Sequence, residues 1–207
     1  MTLNNITLYK NDLPDDIIIK GDLAIDTETM GLNNKRDRLC LVQISDLQGK
    51  IYLIQISKGV NKAPNLEKLL SDPSTQKILH FARFDIAVLY QNLGILMNNI
   101  FCTKIASKLT RTYTDSHGLK DLSRDLLSVQ LSKQQQSSDW GSDALTKEQQ
   151  IYAASDVLYL HKLRDLLKIL LIREGRMELA QSCFDFLPSR ALLDLAGWEN
   201  ADIFAHS

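Results

Sequence analysis

Leu23-Ala24-Ile25-Asp26-Thr27-Glu28-Thr29-Met30-Gly31-Leu32 reads as a buried strand that runs out into a loop. Leu23 and Ile25 alternate with Ala24, and Gly31 permits the sharp turn that follows. Asp26 and Glu28 lie two residues apart, so on a strand both carboxylates project from one face. Two anions held side by side repel, and burial raises the cost. A cation between them removes that cost, and hard carboxylate oxygens suit Mg²⁺ or Mn²⁺. A strand end with two solvated acids has the same spacing, so the rest of the chain must decide.

The chain has 207 residues, of which 24% are charged. That predicts a single domain over 1–207 with a real core, and 184–207 as a C-terminal packing or oligomerisation segment. With a formal net charge of -1, the chain is no general basic coat for nucleic acid; contact would run through local patches, metal ions or a short substrate. Cys40, Cys102 and Cys183 are too few and too scattered for a disulfide framework or a zinc motif. Met1 to Lys10 has no basic region followed by an apolar core, and no apolar run approaches a membrane span. A cytoplasmic protein with no membrane partner is expected.

Outward from the Asp26 strand, Ile6 to Tyr9 predicts a short edge strand. Arg38 to Ser45 and Lys50 to Gln55 predict a hairpin joined by Leu47-Gln48-Gly49. Pro64 to Leu70 and Ala82 to Leu93 predict helices, with a short strand at Lys77 to His80 between them. A strand at Ile100 to Cys102 leads into a helix at Thr103 to Leu109 with Thr103 as its N-cap, and another helix spans Leu119 to Leu127. Ser132 to Gly141 is a polar loop. Thr146 and Gln149 have capping-box spacing, opening one long helix to about Arg173. A helical segment from Glu174 to Gln181 precedes Leu187-Pro188 and an apolar end.

Two further acids fit with the first pair. His80-Phe81-Ala82-Arg83-Phe84-Asp85 puts an Asp early in a helix, where dipole effects alone also favour one. Tyr152-Ala153-Ala154-Ser155-Asp156 puts Tyr and Asp on one helix face with small residues between them. A mid-helix Asp has poor propensity, so something else must favour it; a structural Tyr–Asp hydrogen bond is the plain alternative.

In this order the three stretches resemble the motifs of the DEDD superfamily of 3′→5′ exonucleases, in the ribonuclease D-like subgroup with Tyr in the third motif. The resemblance runs from about Ile6 to Leu171, helped by His117-Gly118-Leu119-Lys120-Asp121-Leu122 and Ser137-Ser138-Asp139-Trp140. It implies an α/β, RNase H-like fold, a mixed sheet flanked by helices. It also implies Asp26, Glu28, Asp85 and Asp156 as ligands of two Mg²⁺ or Mn²⁺ ions, and Tyr152 as a catalytic residue that orients the attacking water. Two such ions about 3.5–4 Å apart serve the attacking and leaving oxygens of a phosphodiester. The chain looks most like the compact members that degrade very short RNA, which implies a homo-oligomer, an octameric ring.

The reading is a metal-dependent 3′→5′ exoribonuclease that cuts oligoribonucleotides, dinucleotides above all, to nucleoside 5′-monophosphates. A broader exonuclease trimming structured RNA or DNA would share these residues. A non-catalytic binding protein on the same fold would have no use for mutually repelling acids. Substrate contacts are expected at Leu32, matching the family's wedging leucine, and at Met30 beside it. They are also expected at His80 and His117, and in the polar loop at Lys133, Gln134 and Trp140. Trp140 would stack on a base or anchor the loop to the core. Lys104, Lys108 and Arg111 form a helix stripe that would meet a nucleic-acid backbone or simply face water.

Overall fold

The computed structural model describes residues 5–132 and 134–206. Its strands are β1 (Ile6–Lys10), β2 (Leu23–Thr29), β3 (Leu39–Ser45), β4 (Ile51–Gln55), β5 (Lys77–Leu79) and β6 (Ile100–Cys102). They form one mixed sheet in the order β1-β4-β3-β2-β5-β6. β2, β3 and β4 are an antiparallel meander, while β1 on β4, and β5 and β6 beyond β2, pair in parallel. β3 and β4 are buried at every position, because helices cover the sheet and leave no polar face.

The helices are α1 (Pro64–Leu70), α2 (Ala82–Leu93), α3 (Thr103–Thr110), α4 (Leu119–Leu127), α5 (Lys147–Leu158), α6 (Leu160–Arg173) and α7 (Met177–Leu193), with a π-helical turn at Asp194–Trp198. Among the described residues, no helix is long and apolar enough to cross a membrane. The expected α/β fold with its mixed, helix-flanked sheet is the one observed.

Three local expectations are corrected. The long helix to Arg173 is two, broken at Tyr159 (φ −103°, ψ −3°). The break lets α5 bury Ala153, Ala154 and Val157 against β2, β3 and β4, while α6 turns Leu163, Leu167 and Leu171 inward beside α3 and α4. The segment from Glu174 begins instead at Met177 and continues through Pro188 to Leu193. Pro188 lacks one backbone N–H, but Phe184 and Leu187 are buried on its N-terminal side and Ala191 beyond it. The Phe184 ring lies 4.9 Å from that of Phe101. Thr103 is not the N-cap of α3; Cys102 occupies that position. The Thr103 hydroxyl donates instead to the Leu79 carbonyl at 3.1 Å and pairs with His80 Nδ1 at 3.0 Å.

Candidate active site

Asp26 and Glu28 point from one face of β2, in the middle of the sheet, and α5 packs across that face. Small Ala153 and Ala154 are fully buried at the contact, so α5 approaches closely enough to bring Tyr152 and Asp156 over β2. Carboxylate oxygens of Asp26, Glu28 and Asp156 lie within 4.8 Å of one another. Asp85 stands beside this trio, outside that limit, one turn into α2 and 2% exposed. Thr27, on the opposite face of β2 to its acidic neighbours, donates its hydroxyl to Asp85 Oδ1 at 2.7 Å.

Burial and mutual repulsion push these carboxyls up. Asp26 rises to about 7, mainly through burial. Glu28 rises to about 10 through burial and then the charges of Asp26, Asp156 and Asp85. Asp85 and Asp156 are raised by burial and then by Asp26. Tyr152 is pushed up by burial and by the charges of Asp156, Glu28 and Asp26. Its phenol therefore stays protonated and remains a donor. Clustered acids at this cost fit a divalent cation, whose charge offsets the repulsion and whose preference is for carboxylate oxygen.

A cavity of about 340 Å³ opens over Asp26, Tyr152 and Asp156. His80, Lys104 and Lys120 line it as well. Burial pulls His80 down to about 3, so it enters this wall as a neutral imidazole. Lys104 belongs to the helix stripe, and Lys120 lies in the His117–Leu122 stretch, where the sequence assigns it no role of its own. Arg111 leaves that stripe, because it is buried and paired with Asp125, while Lys104 and Lys108 share a second cavity beside α7. His117 sits near the wall with Nδ1 2.8 Å from Ser107 Oγ.

Leu32 is 87% exposed, on the loop leaving β2, so it is no core leucine. Met30 is half-exposed, and its Sδ occupies the space a Cβ at Gly141 would need. Gln134 is exposed beside a separate cavity that also touches Tyr152. The expectation for Lys133 lies outside the described residues.

Trp140 is corrected: it is 2% exposed and cannot stack on a base. Its ring lies 6.0 Å from the Tyr152 ring and anchors the loop against α5. The loop is pinned further by Arg38 to the Gly141 carbonyl, Gln55 to the Ser142 carbonyl, and Gln149 to Ser138 Oγ and the Asp139 carbonyl. Gln149 also closes the capping box with Thr146. Gln43 is fully buried directly opposite Asp26, with neither side-chain atom partnered among the described residues. Only the strand register exposes that relation; a Gln in an apolar strand gives no such signal in sequence.

The profile of a 3′-5′ exonuclease family matches residues 7–172. Ribonuclease D of Gluconacetobacter diazotrophicus is 32% identical over 156 residues, which is 75% of this chain and 39% of that protein. The chain thus corresponds to well under half the length of that curated relative. A structure of Brucella melitensis NrnC bound to pGG has 56% identity and a TM-score of 0.93, covering 98% of each chain. A structure of the same Brucella protein with bound Mg²⁺ has 55% identity and a TM-score of 0.92, covering 98% of this chain and 99% of that one.

Proposed function

The chain belongs to the 3′-5′ exonuclease family, and from that premise we propose that it hydrolyses short RNA, dinucleotides above all, to nucleoside 5′-monophosphates. The observation that carries this is the convergence of Asp26, Glu28 and Asp156, with Tyr152 lining the cavity that opens over them. Asp26, Glu28, Asp156 and Asp85 would hold two divalent ions, Mg²⁺ or Mn²⁺. When bound, such ions acidify water and neutralise charge at the phosphodiester oxygens.

The chain's own groups do the rest. Tyr152, as a protonated phenol, donates a hydrogen bond that orients the attacking water. Thr27 fixes the rotamer of Asp85. Lys104 and Lys120 place two cations on the wall of the acidic cavity, where a substrate phosphate needs them. Leu32, held out into solvent, separates the terminal bases. The short-substrate preference draws support from the pGG-bound Brucella relative and from the near-neutral net charge, which offers no long basic track. Exposed Trp198, Ile203 and Phe204 favour a homo-oligomer.

The test is Mg²⁺- or Mn²⁺-dependent release of nucleoside monophosphate from 5′-labelled RNA by the wild type and by Asp156→Asn. Even partners outside a metal's ligand set cost 10–100-fold, so the variant should lose more than about a hundredfold. Full activity of Asp156→Asn, with the fold intact, would sink the site assignment.

A further inference from the structure

We infer that Gln43 is a positioning residue of the metal site, a buried amide that holds Asp26 by hydrogen bonding once that carboxylate is ionised on a divalent cation. The inference rests on the exonuclease reading of this site and deepens it, since Gln43 acts through Asp26 and not on the substrate. Gln43 is the cross-strand partner of Asp26 in the antiparallel β2–β3 pair, so the two side chains share the face that α5 covers. Directly opposed residues in such a pair have Cβ atoms about 4.5–5.5 Å apart, within reach of a Gln amide. On the other side of β2, the pairing with β5 covers Leu23 and Ala24 and stops short of Asp26. Glu28, two residues on, faces Leu41 across β3. Of the two acids on β2, only Asp26 thus has a polar side chain opposite it.

The amide costs stability where it stands. Gln43 is fully buried between apolar Val42 and Ile44, and its Nε2 and Oε1 have no partner among the described residues. A leucine would fill the position without stranding a donor and an acceptor. Neighbouring polar side chains on the sheet do find partners. Ser45 donates to the Asp46 carbonyl at 3.3 Å, and Gln55, on the same face, donates to the Ser142 carbonyl at 2.8 Å. A buried amide left unpaired points to a partner that arrives with function. Cation binding supplies one, because it requires a deprotonated carboxylate, which accepts at both oxygens and donates at neither. Glu28, Asp85 and Asp156, the charged groups that act on Asp26 or feel its charge, become acceptors in the same state, so none of them can donate to it. Gln43 brings an N–H donor with no charge. A Lys or Arg there would also donate, but it would repel the cation.

The test uses Gln43→Leu, close in volume but without polar atoms, and Gln43→Met, unbranched like Gln, as a second replacement. Mn²⁺ is titrated alone into the wild type and each variant, with no RNA present, and thermal midpoints are taken in EDTA. The two readouts should move in opposite directions. Mn²⁺ affinity should fall about 10- to 100-fold, the loss typical of a group that supports a metal ligand. The midpoint in EDTA should hold or rise, because two stranded polar atoms are gone. Unchanged Mn²⁺ affinity in either folded variant would overturn the role. So would a loss of affinity that comes only with a fall of the EDTA midpoint, since a packing residue would lower both. A wild type that binds Mn²⁺ but releases no nucleoside monophosphate from RNA would refute the exonuclease reading instead, and the titration would still decide the role of Gln43.

Discussion

Asp26 and Glu28 are costly to keep in place, and that cost can be measured. Both carboxyls are raised, to about 7 and about 10, so the folded chain holds protons that the unfolded chain releases at ordinary carboxylate values. Folded protein then binds more protons than unfolded, and stability falls as pH rises through this window. For Asp26 the loss is complete above about 7, and for Glu28 it continues to about 10. Without divalent cation, the thermal midpoint should drop on going from about pH 5 to about pH 8, where Asp26 must ionise in place while Glu28 still holds its proton. A cation substitutes for the protons, so the Mg²⁺-induced rise should be larger at the higher pH. An equal rise at both values, in parallel melts with Mg²⁺ and with EDTA, would contradict this. Tyr152→Phe tests a narrower point. It removes a donor but no ligand, so hydrolysis should slow roughly 10- to 1,000-fold, the range from outer-shell to oxyanion-donor losses, while Mg²⁺ affinity by titration is unchanged. Gln43→Leu removes two unpartnered buried polar atoms opposite Asp26 and should raise stability by about 1–3 kcal/mol in denaturant.

At the scale of elements, α5 and the loop before it set the site. Gln149 closes the capping box and also holds the loop at Ser138 and Asp139. Gln149→Ala should therefore cost about 1–2 kcal/mol, the loss of a cap, with a fall in kcat from a loosened Tyr152; an unchanged denaturation midpoint would remove that role. Much of this was legible beforehand. The Asp26 strand, the hairpin after it and α2 follow from alternation and helical period, and the Thr146–Gln149 box from four letters. The Tyr152–Asp156 pairing needed only the helix repeat. What escaped depends on distant packing. Tyr159 breaks a continuous apolar period because two faces must be buried against different partners. Helix α7 survives Pro188 because Phe184 and Leu187 hold it from one side and Ala191 from the other. Trp140 is isolated in a polar run, and only its burial beside Tyr152 separates an anchor from a base platform. Phe81 joins β5 to α2 at φ 65°, and a positive φ leaves no mark on a Phe in sequence.

Across the whole molecule, the C-terminal segment is tied to the catalytic helix. Arg83 and Arg190 converge on buried Asp194, so the chain's end and the start of α2, two residues before Asp85, share one ionic clamp. Arg83→Ala leaves Asp194 with Arg190 alone and should cost about 1–3 kcal/mol; no shift in the denaturation midpoint would show the clamp to be idle. The measurement that bears most directly on the proposed activity is a length series of 5′-labelled RNA from two nucleotides upward. Matched DNA runs beside it, in Mn²⁺, with Asp26→Ala as control. A steep maximum of kcat/KM at the RNA dinucleotide, absent in Asp26→Ala, is expected of a diribonuclease. Rates that stay flat or rise with length, or that are equal on DNA, would contradict the dinucleotide reading and leave a general 3′→5′ exonuclease.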